Sequence, residues 1–389
     1  MALSRPALFL LPIVYLGFIS LGLPDGTLGV AWPPLHTELG LPIGLAGTIL
    51  VVATLLTGIA AFSSGRIIAR FGTGPVVLVS CLLTGSALLL ISRAQGLTML
   101  LLMAIPLGFG AGAVDAGLNG YVARHYSGRH MNWLHACWGI GATCGPLVMA
   151  HALRTGGGWR GGYVTIGSVQ LGLGLLFLLT LGLWNKVPER RSETAHDDSL
   201  RVAPKASANS FAGWLSAGIF TVYVAVEMTA GLWASSILVE SRHIAQESAA
   251  LCAAGFYASI TIGRIAVGFV VDLWGNRRLV TIGGLLALAG AGLFAFATTV
   301  PIAALALMLL GLGFAPIYPC LMHEVPRRFA PEAVQIVIGR QSGAGAVGAA
   351  TLPALAGSIA EFSLEGIVWI VIAGILGMLL AIRRLDRAT

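Results

Sequence analysis

Of the 39 charged residues in this chain (23 basic, 16 acidic), five lie inside long apolar runs: Asp25, Asp115, Glu227, Arg264 and Arg340. A charge at the centre of a bilayer costs roughly 2.5–3.5 kcal/mol on insertion scales, so each needs a partner or a wet cavity. Asp25 stands in Pro24-Asp25-Gly26, where proline removes a backbone donor and glycine loosens the helix. A carboxyl at such a kink can load a proton, or it can accept local backbone N–H bonds. Asp115 has Asn119 one turn later on the same face. His135 opens the next helix after a short loop, so Asp115 and His135 are expected to meet, either at a substrate site coupled to proton release or in a structural bond. Glu227 lies mid-run and either binds substrate hydroxyls or pairs with Arg340. Asp25, Asp115 and Glu227 are thus the candidate proton-coupling acids. Arg264 reads as part of a gate.

Polar and aromatic groups among the apolar runs complete the set. Trp138 follows His135 by three residues and shares its face. Tyr318 offers a ring for stacking, as do Trp32, Trp233 and Tyr223, although membrane Trp and Tyr are more ordinarily anchors. Gln170 and Gln341 carry amides suited to hydroxyls. Asn119, His135, Trp138, Gln170, Tyr318, Arg340 and Gln341 are therefore the candidate substrate ligands. Other chemistries find no residues. The five cysteines (Cys81, Cys137, Cys144, Cys252, Cys320) lie in apolar runs without metal-ligand spacing. No phosphate loop, metalloprotease motif or nucleophile elbow is present. Neither enzyme activity nor a cofactor or metal is expected.

The elements that must position these residues follow from composition. Hydrophobic residues make up 57% and charged residues 10%, against about 25% charged in a soluble chain. The mean hydropathy is +0.87. So few charges cannot cover a soluble surface, and a membrane β-barrel would alternate over segments of about ten residues. The prediction is an all-α polytopic membrane protein. Apolar runs of spanning length number twelve, near 8–32, 43–63, 75–92, 97–123, 131–153, 162–184, 211–238, 247–270, 279–298, 300–322, 333–359 and 364–383. The first is too long for the apolar core of a signal peptide and reads as a retained helix. Charged and Ser/Pro-rich residues 186–210 form a linker. The expected units are therefore two six-helix bundles, 1–185 and 211–389, joined by a cytoplasmic linker.

The net charge of +7 reads as loop Lys and Arg, with no nucleic-acid partner. With the N-terminus in the cytoplasm, 17 basic residues fall on cytoplasmic segments and 4 on the opposite side. That asymmetry predicts an inner (plasma) membrane protein with both termini cytoplasmic.

The halves repeat. Gly65-Arg-Ile-Ile-Ala-Arg-Phe-Gly72 follows the second run, and Gly268-Phe-Val-Val-Asp-Leu-Trp-Gly275 follows the eighth, 203 residues on. Leu107-Gly108 and Leu310-Gly311 keep the same spacing. Such duplication implies two pseudo-symmetric bundles about a central site. These residues resemble the major facilitator superfamily, whose loop signature is G-x-x-x-D-x-x-G-x-R/K-R/K. The second copy matches at Gly268, Asp272, Gly275, Arg277 and Arg278. The first keeps Gly65, Arg70 and Gly72 but has Ala69 in place of the acid and Thr73-Gly74 in place of the basic pair. The resemblance implies that these residues gate conformational change. More narrowly, Gly22 to Pro33, Asp115-Ala-Gly-Leu-Asn119 and Asn132 to Gly139 resemble the fucose/glucose–proton symporter group, with acids in helices 1, 4 and 7.

The resemblance implies a proton-coupled secondary-active transporter moving a small polar solute, a hexose-like sugar above all, by alternating access. A drug or amphiphile–proton efflux antiporter is the alternative, and a solute sensor on a transporter scaffold a more distant one. The expected partners are the solute, protons and the bilayer, around a monomer.

Overall fold

A computed structural model of the chain describes residues 5–126, 128–187 and 206–389. Most of the linker therefore lies outside the described residues. The rest is helical, with no strand among the described residues. The first span is broken into α1 (Arg5–Gly22) and α2 (Thr27–Leu39). It is followed by α3 (Leu45–Phe71), α4 (Thr73–Ile91), α5 (Leu97–His125), α6 (Gly128–Arg154) and α7 (Gly158–Trp184). The second half runs α8 (Phe211–Ser236), continued by a π-helical turn over Ile237–Ser241, then α9 (Gln246–Trp274) and α10 (Asn276–Ala295). A second broken span gives α11 (Val300–Phe314) and α12 (Ile317–Arg328), before α13 (Pro331–Ala360) and α14 (Leu364–Ala388). Eleven of these spans are long and apolar enough to cross a membrane, and α3, bent by 51° between Ala61 and Ser63, makes twelve.

The break between α1 and α2 follows from Pro24-Asp25-Gly26. Pro24 donates no backbone N–H, and Gly26 adopts φ 70°, ψ −15°, a left-handed conformation that favours glycine. Glycines then decide what the break packs against. A Cβ on Gly141 would stand 2.0 Å from the Ile19 carbonyl oxygen, and one on Gly145 the same distance from that of Leu23. The backbones of α1 and α6 therefore touch, in the small-residue packing that replaces a hydrophobic driving force in lipid. Gly348 brings α13 onto α8 in the same way, 2.1 Å from the Thr221 carbonyl oxygen.

The repeat is visible in backbone geometry. Gly72 (φ 84°, ψ 162°) and Gly275 (φ 77°, ψ 150°) join α3 to α4 and α9 to α10, with N–H groups donating to Ile68 and Val271 carbonyls. Each turn places the start of the next helix at the face that carries the termini.

The halves meet through α6 with α9, α3 with α13, and α2 with α8 and α9. Toward the face opposite the termini these contacts are tight. His36 Nε2 lies 3.5 Å from Glu240 and Arg154 lies 3.6 Å from Glu247. The Gly44 N–H donates to Glu361 Oε1 at 2.7 Å, and a Cβ on Gly357 would come within 2.4 Å of the Gly44 carbonyl oxygen. The structure is thus closed at that far face. Gly357→Val is expected to prevent this closure. A single cysteine at Ala46, fully buried here, should then react with an impermeant maleimide in a cysteine-free background. Continued protection of that cysteine would show that closure survives the bulk.

Candidate functional site

Below the closed face, a chain of side chains runs from one half to the other. Asp25, at the break of the first span, accepts from Trp138 Nε1 of α6 at 2.7 Å. Arg264 of α9 lies over the Trp138 ring, 5.2 Å from its centroid, within cation–π range. Arg264 also pairs with Glu227 of α8 at 3.7 Å. Tyr223, one turn before Glu227, donates its hydroxyl to the other carboxylate oxygen. Asp25 and Trp138 belong to the first half, and Arg264, Glu227 and Tyr223 to the second. The break in α1–α2 and the glycine contacts of α6 put these groups in register. Gly26 packs on Tyr257 and Gly139 on Thr261, each closer than a Cβ would allow. The Arg264 Nε is buried without a hydrogen-bond partner, so one donor of the guanidinium is uncommitted.

The other expected residues divide. Asp115 accepts from Asn119 Nδ2 at 3.0 Å, as their spacing on one face implied. His135 does not bond to Asp115. Its ring sits edge-on to Phe18 of α1, with centroids 5.6 Å apart. Tyr318 is half-buried, packing against Phe220 and Tyr223. The structure places the others differently from their expected positions. Glu227 pairs with Arg264, not Arg340. Arg340 instead donates to the Ala208 carbonyl and to Asn209 Oδ1 and stacks over Trp214 at 4.4 Å, so it ties α13 to the start of α8. Gln170 is 1% exposed, its amide taken up by the hydroxyl and carbonyl of Ser20. Gln341 is equally buried and donates to Ser216 Oγ at 2.7 Å. Both amides bond between helices of one half, and the Gln341 Oε1 is left buried without a partner. Arg264, read as a gate residue, stands in the central chain of groups because its position on α9 faces Trp138.

At the termini face the second loop signature is built into an ionic cluster. Arg277 pairs with Glu324 at 3.1 Å and lies 3.9 Å from Asp386. Glu324 is 3% exposed and also receives bonds from Asn276 Nδ2 and Arg327. Arg328, 4% exposed, pairs with Asp386 at 2.6 Å. Arg278 lies over Trp274, and the Asp272 side chain is outside the described ones. Gly65 and Gly268 have open space where a Cβ would sit, and Arg70 is exposed over Phe71. Sequence reasoning missed Glu324, whose signal was an acid three and four residues before Arg327 and Arg328. Removing one partner of a buried ion pair leaves an uncompensated charge. Glu324→Gln is therefore expected to lower stability by about 3 kcal/mol, the lower part of the usual range because Asp386 still holds Arg328. Thermal unfolding measures this, and an unchanged midpoint would contradict it.

The Major Facilitator Superfamily profile matches residues 14–226 and again 215–388. The chain belongs to the major facilitator superfamily. Its curated relatives include Bypass of stop codon protein 6 of Saccharomyces cerevisiae, 24% identical over 277 residues, covering 66% of this chain and 55% of that protein. Another is the probable L-galactonate transporter of Escherichia coli, 24% identical over 264 residues, covering 64% of this chain and 58% of the other. The chain thus spans a little over half the length of these relatives. Among solved structures, a bacterial homologue of the human lysosomal transporter Spinster, in an inward-facing and occupied conformation, superposes with TM-score 0.78 at 12% identity, covering 99% of this chain and 98% of that one. The nucleoside transporter NupG gives 0.72 at 15% identity, covering 97% and 99%. The human organic anion transporter MFSD10 gives 0.69 at 16%, covering 97% and 100%. At these identities the structures bear on the fold.

Proposed function

We propose that this superfamily member is a proton-coupled secondary-active transporter that moves a small polar solute, of hexose-like size and hydroxyl content, by alternating access. One observation carries the reading: the Asp25–Trp138–Arg264–Glu227 chain crosses from one half to the other beneath the closed face. A solute or proton that alters any link acts on both halves at once, as rocking about a midplane site requires. The narrower resemblance to fucose/glucose–proton symporters and the relative named as a probable L-galactonate transporter support a polyhydroxylated solute. The two bundles, 1–185 and 211–389, are the moving units and 186–210 their tether. Lys and Arg asymmetry supports an inner-membrane location with both termini cytoplasmic, so that the closed face is the one away from the cytoplasm. The protein acts as a monomer.

Linkage gives the test. In a symporter, proton and solute favour each other's binding, so solute binding draws protons from solution, and lower pH tightens it. In an antiporter the two compete and protons are released. L-galactonate, L-fucose and D-glucose should each be added to purified protein in weakly buffered detergent. Net proton uptake with at least one of them is the expected result. Net release would replace symport by efflux antiport. Stabilisation by none of them, read as the unfolding midpoint, would argue against the solute class.

A further inference from the structure

A cavity of about 620 Å³ opens at the termini face of the first half, away from the central chain of groups. Ala69 and Thr73 line it, so it lies where the first loop signature lacks its acid and its basic pair. The duplication shows what fills the matching place in the second half. At the 203-residue spacing Thr73, Tyr121 and His125 correspond to Asn276, Glu324 and Arg328. In the second half the Glu324 carboxylate sits at the first turn of α10, bonded to Asn276 Nδ2 at 2.9 Å and Arg277 Nε at 3.1 Å. In the first half that position is a phenol. The Tyr121 ring stacks on His125, with centroids 4.1 Å apart, and meets Trp184 at 4.9 Å. All three rings line the cavity.

Donors remain there without an acceptor. The α4 helix begins at Gly72 with no side-chain cap, and Pro75 carries no N–H, so the Thr73 and Gly74 N–H groups are the first-turn donors without intrahelical partners, and the helix end favours negative charge. Trp184 is 3% exposed and its Nε1–H has no hydrogen-bond partner. The indole packs against that turn: a Cβ on Gly74 would come within 2.8 Å of Trp184 Cγ and 2.9 Å of Cδ1. A buried N–H left unbonded carries an uncompensated desolvation cost, which a bound acceptor recovers. The α3 segment that walls the cavity carries Arg66 and Arg70.

We infer that this cavity binds an anionic oxygen group, a phosphate or carboxylate, at the α4 N-terminus and Trp184 Nε1, in the place that Glu324 takes in the second half. The bound anion would tie the ends of α3, α5 and α7 together, as Glu324 ties α10 to α12. A soluble anion and an anionic lipid headgroup offer the same chemistry.

The full chain should be placed in phosphatidylcholine nanodiscs and titrated with inorganic phosphate. In a parallel arm the nanodiscs contain phosphatidylglycerol and no phosphate is added. A rise in unfolding midpoint is expected in at least one arm. Phosphate acting in phosphatidylcholine assigns the site to a soluble anion, and a gain confined to phosphatidylglycerol assigns it to a headgroup. Ala69→Asp puts an acid into the cavity and should abolish the gain. Trp184→Phe removes only the donor and should weaken apparent affinity several-fold. No gain in either arm, or a gain that survives Ala69→Asp, overturns the site. Should Ala69→Asp fail to fold, unchanged affinity in Trp184→Phe does so.

Discussion

Arg264→Gln is expected to abolish transport and to destabilise the protein by about 3–5 kcal/mol, the range for breaking a buried ion pair. Arg264 has 21% of its side chain exposed and Glu227 has 11%, so little water is at hand to replace the lost partner. The guanidinium also lies over the Trp138 ring, and Trp138 holds Asp25. Glutamine keeps hydrogen-bonding capacity but carries no charge, so both the pair with Glu227 and the cation–π contact disappear. Lysine would retain the charge without the planar fork, and should recover stability better than transport. The second half of the test is Arg264→Gln combined with Glu227→Gln. With both charges gone, no charge is left buried alone, and the unfolding midpoint should rise above that of Arg264→Gln while transport stays absent. That non-additivity is the mark of two groups in contact. Equal and additive losses would mean that the pair contributes nothing, and active transport by Arg264→Gln would remove Arg264 from the mechanism.

Asp25→Asn is expected to leave solute exchange within about twofold of the parent while ending accumulation. The side-chain amide oxygen still accepts the Trp138 Nε1–H bond of 2.7 Å, so the geometry at the break between α1 and α2 is kept. What asparagine cannot do is carry a proton. One charge moved through about 100 mV is worth about 2.3 kcal/mol, roughly 50-fold accumulation for one proton per solute. In proteoliposomes under an imposed potential, that ratio should fall to unity in the variant. Counterflow, which needs no net proton movement, should continue. Accumulation by Asp25→Asn would move coupling to Asp115 or Glu227. Loss of counterflow as well would make Asp25 a group needed for solute binding or for the rocking itself.

The sequence by itself determined the class of the molecule, the approximate spans and the duplication, for reasons that are local or compositional. A bilayer demands about 20 apolar residues per helix whatever the neighbours. Pro24 and Gly26 break the first span through their own backbone chemistry. Gly72 and Gly275 repeat one turn because only glycine adopts its positive φ readily. The intramembrane charges were equally legible, since each is costly alone. Their partners were not. Both Arg264 and Arg340 were available to Glu227, and helix periodicity gives no rank between them. The approach of α6 to α9 set Arg264 over Trp138 and beside Glu227, while the start of α8 took up Arg340. Asp115 and His135 lie on consecutive helices, yet the His135 ring turns to Phe18. Gln170 and Gln341 looked like ligands because polar residues in apolar runs are conspicuous. Only packing decided that the Gln170 amide is taken up by Ser20 and the Gln341 amide nitrogen by Ser216, each within one half, while the Gln341 Oε1 is left without a partner. Glu324 lay among charges at a helix end and read as a loop. It became the centre of the ionic cluster once α10, α12 and α14 met there, because a carboxylate enclosed by Asn276, Arg277, Arg327 and Arg328 has its charge answered without water.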